Sequence, residues 1–258
     1  MLELCTLASG SSGNAVLVFT ETTKLLIDAG VSAKRLCEGL KSLDLSPADL
    51  DGICITHSHS DHIGGLRVFL KRTDAPVFST ALTARAMDHI DGISGRIHTI
   101  YPREPFELGD LTVQAFSTSH DAPGSVGYTV THNTRKCCVV TDLGFVSEEV
   151  RQHIYGSHLA LVEANHDVEW LMSGPYPYHL KQRILGDRGH LSNEASAQLC
   201  CELVQHGAEK LILAHLSQEN NTPERARNVV CATLSHRGMG HIPVTVAPRC
   251  TCGIPVEV

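Results

Sequence analysis

At 258 residues the chain is long enough to bury a sizeable core, as one α/β domain or as two small ones. Apolar residues make up 42% and charged ones 19%. No run of about twenty apolar residues occurs and Met1-Leu2-Glu3-Leu4 lacks the basic start of a secretory signal, so a soluble cytoplasmic protein with no membrane partner is expected. A formal net charge of −7 argues against indiscriminate nucleic-acid binding through a basic surface, although divalent cations at a carboxylate cluster can reverse the local sign. Of the ten cysteines, Cys5, Cys54, Cys137 with Cys138, and Cys200 with Cys201 lie inside apolar runs, which points to free, mostly buried thiols in a reducing compartment. Cys250 and Cys252 are the close pair outside such runs and, without a second pair, are weak grounds for a metal site.

In chain order the pattern predicts strands over Leu2 to Ala8, Ala15 to Phe19 and Lys24 to Asp28, then a helix near Ser32 to Leu43 with Leu36, Leu40 and Leu43 on one face. A strand over Gly52 to Thr56 runs into a histidine-rich loop, which leads to a helix from about Ile63 to Lys71. A buried strand at Pro76 to Ser79, a helix near Ala81 to Ile90, and strands at Arg96 to Ile100, Phe106 to Leu108 and Leu111 to Ser117 follow. The second half repeats the scheme: strands at Gly127 to Thr131 and Lys136 to Asp142, a helix near Ser147 to Tyr155, and an apolar strand at His158 to Glu163. A helix from Asn193 to His206 has Ser192 as its N-cap and Gly207 just past its end. A strand at Lys210 to Ala214, a helix opened by Thr222-Pro223-Glu224 and stopped at Gly238, and a final strand at Pro243 to Ala247 complete the list. No linker separates the halves, so the expectation is a single domain over 1–258 with strand-then-helix halves of roughly 1–117 and 118–258. Such halves fit a four-layer αββα sandwich, two sheets face to face with helices outside.

The chemistry concentrates in Thr56-His57-Ser58-His59-Ser60-Asp61-His62-Ile63-Gly64-Gly65. Extended backbone puts alternate side chains on one side, so His57, His59 and Asp61 can point one way while His62, at the helix start, turns inward. Imidazole and carboxylate suit zinc, manganese or iron, and four such groups exceed what one catalytic metal with an open position uses, which suggests two cations. Three later residues, His120, Asp142 and His215, stand at or just past the exits of apolar strands; each alone reads as an ordinary polar strand end, and the three together with the first motif read as further ligands. In this architecture strand-end loops of both halves meet along one edge.

The H-x-H-x-D-H motif resembles the signature of the metallo-β-lactamase fold superfamily. The segments from Ala8-Ser9-Gly10-Ser11-Ser12-Gly13-Asn14 to Leu216-Ser217-Gln218-Glu219-Asn220-Asn221 narrow the likeness to the YycJ-type branch of bacterial phosphodiesterases and exonucleases, related to transfer-RNA-processing nucleases and ribonuclease J. The resemblance implies the αββα sandwich. It also implies one divalent ion on His57, His59 and His120, a second on Asp61, His62 and His215, and Asp142 bridging the two; zinc or manganese is expected, with iron as a third option. Asp61 thereby counts among the catalytic residues. Glu163 and His190 match a carboxylate–histidine pair that the transfer-RNA-processing relatives use as a proton donor. A carboxylate that holds an imidazole fixes its tautomer and favours the imidazolium, which suits a general acid; a capping-region histidine is the plainer reading of His190 alone.

Three segments are candidate substrate contacts. The glycine–serine loop with Ser11 and Asn14 can form an anion-binding nest or a plain hairpin turn. The stretch with Tyr178, Lys181, Arg183 and, beyond it, Arg188 interleaves aromatics with cations and can stack bases and neutralise phosphates, or can be a solvated loop. Ser217, Asn220 and Asn221 follow His215 and can hydrogen-bond a sugar–phosphate. The expected activity is two-metal hydrolysis of nucleic-acid phosphodiesters, as a 5′-to-3′ exonuclease on single-stranded DNA or RNA. The rival is a small-molecule hydrolase of the same fold acting on a cyclic phosphodiester, a thioester or a lactam. A proton donor favours alkoxide leaving groups over thiolates, Asp61 and His215 stand where a dinuclear lactamase has a cysteine, and Ser58 stands where a di-iron redox relative has a glutamate. A metal-bearing binding module leaves the complete ligand set unexplained.

Overall fold

The computed structural model describes residues 1–258. Three antiparallel strands open the chain, β1 (Glu3–Ala8), β2 (Ala15–Phe19) and β3 (Lys24–Ile27), followed by helix α1 (Ala33–Lys41). Then come β4 (Gly52–Cys54), the one-turn helices α2 (Ser60–Ile63) and α3 (Leu66–Phe69), β5 (Val77–Ser79), α4 (Ala81–Ala86) and β6 (Ile97–Thr99). An antiparallel meander follows: β7 (Pro105–Leu108), β8 (Leu111–Ser117), β9 (Val126–His132) and β10 (Arg135–Val140). The remainder alternates: α5 (Glu148–Ile154), β11 (Leu159–Glu163), α6 (Val168–Ser173), α7 (Tyr178–Leu185), α8 (Asn193–Gln205), β12 (Lys210–Ala214), α9 (Pro223–His236), β13 (Val244–Val246) and β14 (Val256–Glu257).

The strands form two seven-stranded mixed sheets, ordered β14-β1-β2-β3-β4-β5-β6 and β13-β12-β11-β10-β9-β8-β7. Side chains alternate between two apolar layers. From β2, Val16 and Val18 enter the layer between the sheets while Ala15 and Leu17 face the layer under α1 and α3. From β10, Cys137 and Val139 enter the inter-sheet layer while Cys138 and Val140 face the layer under α5, α8 and α9. Strands buried on both faces read as continuous apolar runs, which is why the adjacent cysteines sit in different layers and both remain free. Four layers result, as expected, and Phe78 of one sheet stacks on Phe106 of the other with ring centroids 4.6 Å apart. No helix is long and apolar enough to cross a membrane.

Five features differ from the sequence expectations. The sheets part between β6 and β7 rather than near residue 117, because β7 and β8 pair onward to β9 and so belong to the second sheet. The helix expected from Ile63 to Lys71 is broken into α2 and α3 at Gly64-Gly65: Gly65 N–H donates to Ala29 O, and a Cβ at Gly65 would stand within 2 Å of Val31 O. The helix expected to reach Ile90 stops at Ala86. Helices α6 and α7 occupy a stretch for which no element was predicted; Leu180 and Ile184, four apart, mark the inward side of α7. Strand β14 closes the chain by pairing antiparallel with β1, Leu4 opposite Val256, and covers what would be an open sheet edge.

Candidate metal centre

The C-terminal ends of β3, β4, β8, β10, β11 and β12 supply the polar cluster. Asp28 after β3 organises it: its Oδ1 accepts from Thr56 N–H and its Oδ2 from the Thr56 hydroxyl, both at 2.8 Å. The loop beyond β4 is pinned from below, with Asn14 N–H donating to Asp61 O and Ala29 N–H to His62 O, each 2.8 Å. Gly30 lets this packing occur, since a Cβ there would strike Asp61 O. Asp28, Asp142 and His215 all take left-handed backbone (φ 63°, 60° and 55°) where the chain leaves a strand and turns its side chain into the cluster.

Four imidazoles are tied outward at Nδ1, so their Nε2 atoms face one another. His62 Nδ1 lies 2.7 Å from Asp28 Oδ2, His215 Nδ1 3.0 Å from Glu163 Oε1, His57 Nδ1 3.1 Å from Thr56 Oγ1, and His120 Nδ1 3.2 Å from Gly189 O. Outer partners of this kind orient metal-binding histidines and fix their tautomers. His59 is reversed, presenting Nδ1 at 3.2 Å from His120 Nε2. His57, His59 and His120 thus bring three nitrogens within 4.8 Å of one another, and Asp61, His62 and His215 form a second group of the same tightness.

Asp142 stands between the two groups: Oδ2 is 3.3 Å from His62 Nε2, while Oδ1 is 3.4 Å from His215 Nε2 and 3.7 Å from His120 Nε2. Asp61 Oδ2 is 3.4 Å from His62 Nε2 and 3.3 Å from His215 Nε2. Donors arranged tetrahedrally at about 2.0–2.1 Å around one cation stand about 3.3–3.4 Å apart, so this spacing fits metal coordination. The buried His57 Nε2 and Asp142 Oδ2 have no hydrogen-bond partner in the protein. Leaving such atoms unsatisfied costs free energy that a cation would recover. The donor set fits two divalent ions.

Charge compensation runs through the cluster. Burial pushes His57 down to about 2, with the neighbouring His62 adding to the effect. Burial also opposes a charge on His62, yet Asp142 and Asp28 hold it up at about 10. His215 is raised well above the usual imidazole range against burial, by Asp142, Asp61 and Glu163, and Asp142 is correspondingly held far down by the facing histidines.

Glu163 and His190 are brought together as the sequence implied. His190 Nδ1–H donates to Glu163 Oε1 at 2.8 Å, and the buried Glu163 Oε2 accepts Leu191 N–H at 2.9 Å. Glu163 is lowered to about 2 against its burial, by His190 first and then His215. The same Oε1 also serves His215, a tie not anticipated from the sequence.

A cleft beside the cluster is lined by Ser11, Tyr176, Arg183, Arg188, His190 and Ser217 among others. Four of the nine expected substrate contacts therefore border it, and five do not. Lys181 is buried, and its Nζ donates to Met172 O and Gly174 O at 2.7 Å each, so its charge is spent on the C-terminal carbonyls of α6. Asn14 lies beneath the metal-binding loop, accepting Gly10 N–H at 2.9 Å with its amide nitrogen 3.2 Å from His62 Nε2. Asn220 donates to Ser217 Oγ, and Asn221 donates to Ala164 O and Asn193 Oδ1; both are buried scaffold. Tyr178 is exposed outside the cleft, where Tyr176 takes the bordering position. Arg183 borders the cleft but is paired with Asp121. Asp28 and Asn165, whose amide donates to His215 O at 2.9 Å, were not singled out from the sequence. Asp28 ends an apolar strand as Asp142 and His215 do, which was the available signal.

The metallo-beta-lactamase superfamily pattern matches residues 8–215, from the end of β1 to the last histidine of the cluster. "Exodeoxyribonuclease YycJ" of Bacillus anthracis is 40% identical over 241 residues, covering 93% of this chain and 91% of that protein. "Exodeoxyribonuclease WalJ" of Streptococcus pneumoniae is 37% identical over 238 residues, covering 91% and 88%. Among solved structures, Zn(2+)-bound PqqB from Methylobacterium extorquens superposes with a TM-score of 0.75 at 15% identity, over 99% of this chain and 100% of that one, and so shares the fold. With the strand-end cluster, the four layers and a pattern match that runs from β1 to His215, the chain belongs to the metallo-beta-lactamase superfamily.

Proposed function

We propose that the chain is a two-metal phosphodiesterase that hydrolyses nucleic acid, a 5′-to-3′ exonuclease with single-stranded DNA as the first substrate to test and RNA as the second. The observation that carries this reading is His190, held at Nδ1 by Glu163 and bordering the same cleft as Asp61 and Asp142. The exodeoxyribonuclease names of relatives 37–40% identical over nearly the whole chain support the substrate class.

His57, His59 and His120 would hold one ion, Asp61, His62 and His215 the other, and Asp142 both; zinc or manganese suits this nitrogen–oxygen donor set. Two such ions when bound activate water as a nucleophile at neutral pH and offset charge on the phosphoryl oxygens. The protein's own groups do the rest. His190 delivers a proton to the departing oxygen from Nε2, since Glu163 keeps the other proton on Nδ1. Arg188, exposed at the cleft, and Ser11 and Ser217 border the path of a phosphate backbone. The buried Asp28, Glu163 and Asn165 keep the ligands in place. Ten unpaired thiols support a reducing, cytoplasmic setting.

The test is the metal-reconstituted protein on 5′-labelled single- and double-stranded DNA and RNA, with a cyclic phosphodiester and a thioester as controls. Release of 5′ mononucleotides from the oligonucleotides is expected. Turnover confined to either control would overturn the proposal in favour of a small-molecule hydrolase.

A further inference from the structure

Five of the proposed metal ligands are histidines, and four of these have an outward nitrogen with an identified acceptor: Thr56, Asp28, Gly189 and Glu163 serve His57, His62, His120 and His215. His59 alone is unaccounted for. Its Nδ1 faces His120 Nε2, so its Nε2 points away, and the atom it meets is Asp121 Oδ1 at 3.4 Å. That oxygen is buried and has no hydrogen-bond partner, although the Asp121 side chain as a whole is about a quarter exposed. The other oxygen, Oδ2, is fixed by Arg183 Nε at 2.5 Å. A buried carboxylate oxygen without a hydrogen-bond partner, beside the His59 ring that is itself a third exposed, sets up the carboxylate–imidazole pairing that His62 and His215 already show.

We propose that Asp121 is the positioning residue of His59. It accepts the Nε2 proton, holds the ring in the tautomer that presents Nδ1 to the first metal, and is itself held by Arg183 of α7. The inference rests on the two-metal reading above, and it assigns Arg183 to the metal site rather than to substrate. A 3.4 Å separation is longer than a formed hydrogen bond of about 2.7–3.2 Å, so a small turn of the His59 ring toward Oδ1 completes the contact. Asp121 Oδ1 is also 3.5 Å from His120 Nε2. The rival role is therefore a further direct ligand of the first metal, beyond His57, His59, His120 and Asp142.

The experiment loads purified full-length wild type, Asp121→Ala, Asp121→Asn and Arg183→Gln with zinc or cobalt(II), and measures retained metal against graded chelator. Ring-nitrogen NMR follows the His59 tautomer, and visible absorption reports cobalt coordination number. The proposal expects Asp121→Ala to bind its first metal about 10–100-fold more weakly while the second is unchanged. Asp121→Asn, whose amide oxygen still accepts, should recover most of the affinity, and Arg183→Gln should give an intermediate loss. In chelator-stripped protein the NMR should show the His59 proton on Nε2 in the wild type and shared between Nδ1 and Nε2 in the alanine variant. Unchanged first-site affinity overturns the proposal, as does a lowered cobalt coordination number, which would make Asp121 a ligand. Equal weakening of both sites, or no rescue by asparagine, overturns it too. A wild type that binds fewer than two ions instead overturns the two-metal reading on which it rests.

Discussion

Glu163 Oε1 accepts from two imidazoles at once, His190 at 2.8 Å and His215 at 3.0 Å. One carboxylate oxygen therefore joins the proposed proton donor to a proposed ligand of the second metal. The two partners should separate on mutation. His190→Ala should keep both metals and most activity on bis(nitrophenyl) phosphate, whose nitrophenolate leaves without a proton. On oligonucleotides it should lose about two or more orders of magnitude, the scale of general acid catalysis. Glu163→Gln should lower activity on both substrates and weaken the second metal, because His215 loses its carboxylate partner. Metal loss in His190→Ala, or equal damage to both substrates there, would remove His190 from the role of acid.

Asp142 offers Oδ2 toward His62 and Oδ1 toward His215 and His120. Elemental analysis of unchelated protein should find about two ions per chain, the stoichiometry of two-metal hydrolytic sites. Asp142→Ala should weaken both, whereas His57→Ala should chiefly empty one. A wild-type stoichiometry near one, or an Asp142→Ala variant that keeps its full complement, would sink the bridging assignment.

The sandwich was legible because its strands express a one-dimensional signal, and the seven clustered donors because the H-x-H-x-D-H motif and the family resemblance it carries showed which strand ends to read. Strands such as β10 are buried on both faces, so they appear as unbroken apolar runs, and the donors stand where those runs end. What the chain met across the fold was not legible. The charge of Lys181 is visible in the sequence, but the two carbonyls that hold it belong to residues seven and nine positions earlier, in a stretch with no helical pattern long enough to notice. Asp28 lies 34 residues before the His62 it orients. The break at Gly64-Gly65 depends on the close approach of Ala29 and Val31, a contact without any local signature. Strand β14 is two residues long, too short for alternation to show.

Lys181 and Arg188 should now behave differently. Lys181→Ala removes a buried donor to two carbonyls and should destabilise the fold by about 1–3 kcal/mol, read as a lower Tm, with KM for oligonucleotides nearly unchanged once the protein is folded. Arg188→Ala should leave Tm alone, raise KM, and reduce the salt slope of binding by about one, as loss of a single phosphate contact does. If Lys181→Ala instead flattens the salt dependence at constant Tm, its ammonium reaches substrate and the carbonyl contacts are dispensable.

Metal uptake should be strongly linked to protons. In chelator-stripped protein, His62 is held up at about 10 and His215 well above its usual range, so both rings carry a proton at pH 7. A cation binds only the neutral imidazole, and each ring must therefore release its proton from the nitrogen that faces the cluster. Calorimetry in buffers of different ionisation enthalpy should show release of about two protons per chain at pH 7, falling as the pH rises toward 10. The sign for folding is opposite. A group whose pKa is raised on folding stabilises fully below its unfolded value of about 6.5, and the His62 contribution is lost as pH climbs through about 10. Stripped protein should accordingly melt at progressively lower temperature between about pH 6.5 and 10, while the same chain with both metals bound, whose rings are already neutral, should lack that dependence. Zero proton release at pH 7, or identical pH profiles for stripped and loaded protein, would mean that neither imidazole is protonated before the metal arrives.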